Sequence, residues 1–84
     1  MNEYNCRICG FNNYPDEFWK DKIPMYIICP CCGCESGNED YTLETTKLYR
    51  EKWINQGAIW FLPKEKPEKW DIVKQLKNIP KDYM

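Results

Sequence analysis

Cys6-Arg7-Ile8-Cys9-Gly10 and Cys29-Pro30-Cys31-Cys32-Gly33 decide how this chain folds. Each is a pair of cysteines two residues apart with a glycine behind it, and 19 residues separate the pairs. That is the C-x2-C…C-x2-C spacing of structural zinc sites. The reason is geometric. A C-x2-C turn aims both thiolates the same way and turns backbone N–H groups toward the sulfurs. The glycine supplies the positive φ that closes the turn. Two such knuckles facing each other set four sulfurs at the corners of a tetrahedron, about 2.3 Å from an ion. The spacing therefore names Cys6, Cys9, Cys29 and Cys32 as the ligands of one Zn²⁺. Four thiolates leave no open coordination position, so the ion is expected to be structural and not catalytic.

Rival readings of the six cysteines are weaker. Disulfides suit an even count, but thiols of the cytosol stay reduced, and residues 1–6 lack the basic start and apolar stretch of an export signal. Cys29-Pro30-Cys31-Cys32 resembles the redox motif of glutaredoxin-like enzymes, yet that motif must open a helix. Here Gly33-Cys34-Glu35-Ser36-Gly37-Asn38 follows, which is turn chemistry. A four-cysteine iron–sulfur cluster or a rubredoxin-like iron uses the same ligands, so zinc is preferred and iron stays open. Cys31 and Cys34 are also three apart, and a frame-shifted pair could bind instead. Pro30 pre-sets φ for the turn and Gly33 matches Gly10, so Cys29/Cys32 is the better pair. Cys31 and Cys34 then pack as small apolar groups, with a regulatory thiol or a second metal site as the sharper alternative.

Composition narrows the classes. The chain has 84 residues, and a domain of that size buries only about 60–65% of its surface and needs a staple. One domain is expected over 1–84, with a zinc-knuckle half at 1–37 and a helical half with a short strand at 38–84. No apolar run approaches the roughly 18 residues of a membrane span. There is no histidine, which removes Ser-His and Cys-His catalysis. A net charge of −1 argues against general polyanion binding.

Met25-Tyr26-Ile27-Ile28 is a β-prone run leading into the second knuckle. Pro15–Trp19 reads as one helical turn or a loop, and the adjacent carboxylates Asp16/Glu17 and Glu39/Asp40 as solvated caps or turn residues. Asp40–Gln56 reads as a helix with Tyr41, Leu48, Tyr49 and Trp53 on one stripe. Asp40 or Thr42 caps its start, and Gly57 suits the left-handed position past its end. Ala58-Ile59-Trp60-Phe61-Leu62 reads as a strand buried on both sides, ended by Pro63. A charged connector follows. A short helix then begins near a cap at Asp71, with Ile72, Val73, Leu76 and Ile79 on one arc, and stops at Pro80. The expected fold is a small α+β domain: a zinc-ribbon-like N-terminal half with short strands, packed with two helices.

Cys29-Pro30-Cys31-Cys32-Gly33 resembles the signature of small bacterial cysteine-rich CPCC proteins, themselves similar to zinc ribbons. In that family the signature marks the first knuckle; here it forms the second. The two knuckles together with Gly57-Ala58-Ile59-Trp60-Phe61 also resemble a set of bacterial proteins, some sitting near toxin genes as immunity proteins do. The resemblance implies zinc-ribbon-like architecture and a cytoplasmic location, and it implies no enzymatic activity.

Two functions follow as expectations. The first is a protein-binding module, such as a toxin-neutralising immunity protein, since Tyr and Trp are typical interface anchors and an acidic protein suits a basic target. The second is zinc-ribbon nucleic-acid binding. Nine of twelve basic residues lie at or beyond Lys47 against five acidic ones, but the signs are interspersed. An open-site metallo-enzyme comes third. The chain is expected to be no enzyme.

Overall fold

A computed structural model describes residues 2–84. The chain is α+β, with its cysteines in the N-terminal half. Three two-residue strands form one antiparallel sheet in sequence order: β1 (Asn2–Glu3), β2 (Trp19–Lys20) and β3 (Ile23–Pro24). Lys20 pairs with Ile23 and Trp19 with Pro24, so only Asp21 and Lys22 turn the hairpin. Both have positive φ, 49° and 67°. A two-residue hairpin turn with positive φ at both positions matches the right-handed twist of its strands. The expected strand at residues 25–28 is therefore displaced. Tyr26 has φ of 55°, and only Ile28 keeps a bridge, to Glu35. Residues 15–18 form no helical turn; Phe18 and Trp19 end the segment buried.

Helix α1 spans Leu43–Asn55. Thr42 is its N-cap, with its hydroxyl accepting from the Thr45 N–H while the Thr45 hydroxyl accepts from the Thr42 N–H. This reciprocal capping box satisfies two donors that would otherwise be orphaned. Asp40 caps nothing. It is buried, accepting from the Trp19 indole at 2.9 Å and the Gly37 N–H at 2.7 Å. Burial raises its pKa, and those two hydrogen bonds oppose the rise. Past the other end, Gly57 takes φ of 105°. The Gly57 N–H bonds to the Ile54 carbonyl and the Ala58 N–H to that of Trp53. That is the Schellman pattern the glycine suggested.

The buried side of α1 differs from the expected stripe. Thr46 and Trp53 face the core, flanked by half-buried Tyr49 and Arg50, while Leu48 is 61% and Tyr41 62% exposed. Of the expected stripe of Tyr41, Leu48, Tyr49 and Trp53, only Trp53 is buried and Tyr49 half-buried. The actual face is set by polar groups that reach backbone carbonyls below it.

No strand forms at Ala58–Leu62, nor anywhere beyond Pro24 among the described residues. Ala58 is left-handed at φ 51°, and the segment runs extended across the second knuckle. Its contacts there are Phe61 N–H to the Cys31 carbonyl and Leu62 N–H to that of Pro30. Trp60 turns inward and Ala58 packs half-buried against the core, while Ile59, Phe61 and Leu62 are exposed. A chain this small builds one core, so a run in this position can bury one face and not two. Helix α2 covers Ile72–Leu76, with the Asp71 carboxylate accepting from the Lys74 N–H at its start. Ile79 is buried and Ile72 half-buried as the arc implied, but Val73 faces solvent.

The core is sulfur and aromatic. Six cysteines, Ile8, Phe18, Trp19, Trp53 and Trp60 form one buried cluster. Phe11, Trp60, Trp70 and Trp53 meet edge to face in succession, with centroids 5.4–6.4 Å apart. Such pairs add about 0.5–1.5 kcal/mol beyond area burial. The observed face of α1 gives a clear contrast. Trp53→Ala should cost about 3–5 kcal/mol, and Leu48→Ala should stay within about 0.5 kcal/mol. Denaturant unfolding of metal-loaded protein measures both, and equal costs would restore the apolar stripe.

Candidate metal centre

The two knuckles are built alike to the individual hydrogen bond. In each, the first cysteine's N–H bonds to the carbonyl five residues on, Cys6 to Phe11 and Cys29 to Cys34. In each, the glycine N–H returns to the first cysteine's carbonyl, both at 2.9 Å. A single bridge closes the base of each loop, Asn5 with Asn12 and Ile28 with Glu35. Gly10 and Gly33 hold φ of 82° and 78°. The equivalence pairs Cys31 with Ile8, and both are fully buried. Cys31 thus occupies an apolar packing position.

Face to face, the knuckles bring four sulfurs together. The Sγ atoms of Cys6, Cys9, Cys29 and Cys32 all lie within 4.8 Å of one another, and all four residues are buried. The contacts across the pair, Cys6 to Cys32 and Cys9 to Cys29, are both 3.6 Å. A tetrahedral ion with bonds of about 2.3 Å requires sulfur–sulfur edges of about 3.8 Å. Two of the six edges lie at that distance and the other four stay within 4.8 Å, close enough for one ion to draw together. Cys31 and Cys34 stand outside it: the Cys31 sulfur accepts from the Gln75 amide at 3.3 Å, and the Cys34 thiol points at the Glu35 carbonyl at 3.6 Å.

The sulfurs share protons unevenly. Burial raises the Cys9 and Cys32 thiols well above their ordinary value. Burial also pushes Cys29 up, but hydrogen bonds from Cys32, Cys6 and Cys9 outweigh it and hold Cys29 far below the thiol range. A cation among them would remove the cost of ionising the remaining thiols. Cys34, raised by burial and by the Cys6 and Asp40 charges, is a neutral thiol.

The helical half grips both knuckles through their carbonyls. Arg50 of α1 donates through Nε to the Ile8 carbonyl at 2.6 Å and through Nη2 to that of Arg7 at 2.8 Å. It also reaches the Tyr83 carbonyl. Tyr49 donates its hydroxyl to the Cys32 carbonyl at 2.9 Å. From α2, the Gln75 amide bonds to the Cys9 carbonyl at 3.1 Å, and its own oxygen accepts from the Trp70 indole. Arg7, between the first two ligands, is buried. Its guanidinium lies 3.7 Å from the Trp19 ring centre and 4.0 Å from that of Tyr83, paired in two bonds of 2.8 Å with Glu3. Burial lowers its pKa, while Glu3 more than restores it.

Of these supports the sequence showed only Tyr49, as a member of the apolar stripe and not as a donor to the knuckle. A single Arg, Gln or Tyr on a helix carries no spacing signal. Arg50 had been counted in the basic excess of the C-terminal half, whereas it is spent against the knuckle backbone.

Comparison with known proteins places this arrangement in a lineage. YoaQ of Bacillus subtilis (strain 168), described as an uncharacterized protein, is 30% identical over a 108-position alignment, covering 94% of this chain and 88% of the relative. The chain belongs to the YoaQ family. A second protein of that strain, YozI, likewise described as uncharacterized, is 30% identical over 86 positions, covering 77% of this chain and 68% of its own. No known family model matches the chain, and no solved structure matches it. Among the described residues, no helix is long and apolar enough to cross a membrane.

The knuckle glycines differ sharply from Gly57 in what surrounds them. A Cβ on Gly10 would lie 2.1 Å from the Gln75 carbonyl oxygen of α2, while one on Gly57 would meet nothing closer than 3.8 Å. Left-handed strain alone costs about 1–2 kcal/mol. Gly57→Ala should lose about that much, and Gly10→Ala more than about 3 kcal/mol, because backbone must move. Chemical denaturation of the two variants checks this, and equal losses would show that α2 does not press on the first knuckle.

Proposed function

We propose that this is a small zinc-holding protein, its ion structural, whose work is to bind another protein. The carrying observation is the convergence of four buried sulfurs, two from each of two matched loops, within 4.8 Å of one another. Thiolate ligation by four cysteines suits zinc. Its apparent binding energy of roughly 10–16 kcal/mol in zinc-finger peptides rivals the whole stability of a small domain, about 5–15 kcal/mol.

Protein recognition is supported by size, mild acidity and exposed large side chains such as Tyr14, Ile23, Tyr26 and Ile59. A toxin-neutralising immunity role in the bacterial cytoplasm, and membership of the CPCC group, are the finer forms of this proposal. Nucleic acid is the weaker reading, because Arg50 is engaged internally and the lysines alternate with acids.

Metal analysis of protein purified without chelators tests the first part. One zinc per chain is expected. Cys29→Ser should lose it, and Cys34→Ser should keep it. Full metal content in Cys29→Ser would remove the proposed ligand set. In-cell crosslinking tests the second part: a discrete heteromeric band is expected, and only uncrosslinked chain would argue against a protein partner.

A further inference from the structure

The two knuckles share their backbone hydrogen bonds, and one departure between them carries chemistry. Where the first knuckle buries Ile8, the second buries Cys31, and both residues are 0% exposed. A packing position asks only for volume, and a thiol fills less of it than an isoleucine side chain does.

Cys31 is also held by a donor. The Gln75 side-chain nitrogen gives one hydrogen bond to the Cys31 sulfur at 3.3 Å and one to the Cys9 carbonyl at 3.1 Å. The orientation of that amide is fixed, because its oxygen accepts from the Trp70 indole at 2.8 Å. An indole N–H can only donate, so the oxygen must face Trp70 and the nitrogen the sulfur. One nitrogen therefore ties the Cys31 sulfur to the main chain of Cys9, and the two cysteine side chains interact directly. In sequence Cys31 stands between Cys29 and Cys32. Cys34, equally buried, turns its thiol to the Glu35 carbonyl instead.

A fifth sulfur is thus fixed beside a centre that uses four. Zn²⁺ has no geometric preference from d-electrons, so one thiolate can stand in for another without electronic cost. We propose that Cys31 is a reserve ligand, which completes the set with Cys6, Cys29 and Cys32 when the Cys9 thiolate is lost. The Cys31 thiol then releases its proton to solvent, as any thiol does on ligating a metal, and no electron is transferred. This deepens the metal-holding reading and rests on it.

Cobalt(II) is the probe, loaded in place of zinc into full chains kept reduced, because thiolate-to-cobalt charge-transfer absorption grows with the number of bound thiolates. The Cys9→Ala chain should bind cobalt about 10–100-fold more weakly than wild type, the loss typical of a less well-supported ligand set, with a charge-transfer band of wild-type intensity. Cys9→Ala/Cys31→Ala should show a weaker band and lose about tenfold or more in affinity again. Two controls separate ligation from the packing of buried sulfur: Cys31→Ala alone should match wild type, and Cys9→Ala/Cys34→Ala should match Cys9→Ala. A Cys9→Ala chain as metal-free as Cys29→Ser would overturn the reserve role. So would a band in the Cys9→Ala background that ignores Cys31→Ala or falls equally with Cys34→Ala. In these cases wild type still binds its ion and the metal reading stands; a wild type that binds no metal removes both.

Discussion

Four cysteine sulfurs packed within 4.8 Å in an apolar interior are the constraint on which the rest of this molecule depends. Two loops distant in sequence must meet at a fixed distance and angle for those atoms to converge. The sheet cannot impose that meeting, since its strands are two residues each. Neither helix contacts the other through a broad apolar seam. What meets at the sulfurs is a set of backbone carbonyls and side chains from both halves. A shared ion is the strongest force available to hold them.

The electrostatics follow from the same centre. Four thiolates around a divalent ion carry about −2. Arg50 is a cation held against the first knuckle by its carbonyls; burial lowers its pKa, and negative charge at the cysteine cluster opposes that. Its hydrogen bonds go to carbonyls of the first knuckle, so it positions the loop while it balances charge. Tyr49, one residue earlier, does the equivalent for the second knuckle. Adjacent residues on one helix thus reach separate loops, and this explains why α1 presents Arg50 and Tyr49 inward while Leu48 faces water.

How much of this was legible depends on whether the information is local. The knuckles were readable because two cysteines, their spacing and a glycine define a loop by themselves. The end of α1 and the start of α2 were readable for the same reason, since Gly57 and Asp71 act on backbone groups within a few residues. The start of α1 stayed open between Asp40 and Thr42, because only the fold shows Asp40 to be buried. The Asp21–Lys22 hairpin was not, since lysine at positive φ is tolerated there only because the strands are already paired. The strand expected at Ala58–Leu62 failed because apolarity states a preference for burial, while the available partner was a knuckle edge with room for one inward side chain. Arg7 and Gln75 were invisible, as a buried cation or amide reveals itself only when its partners, Glu3 and the Cys9 carbonyl, come into place. Spacing identified which cysteines converge; tertiary contacts alone show what steadies them.

The central claim is that an ion bound by Cys6, Cys9, Cys29 and Cys32 holds the fold. Circular-dichroism melting before and after treatment with a strong chelator tests it most directly. The account predicts a cooperative transition in the loaded protein that disappears on chelation and returns when one equivalent of zinc is added back. An unchanged melting curve after verified removal of the metal would contradict it.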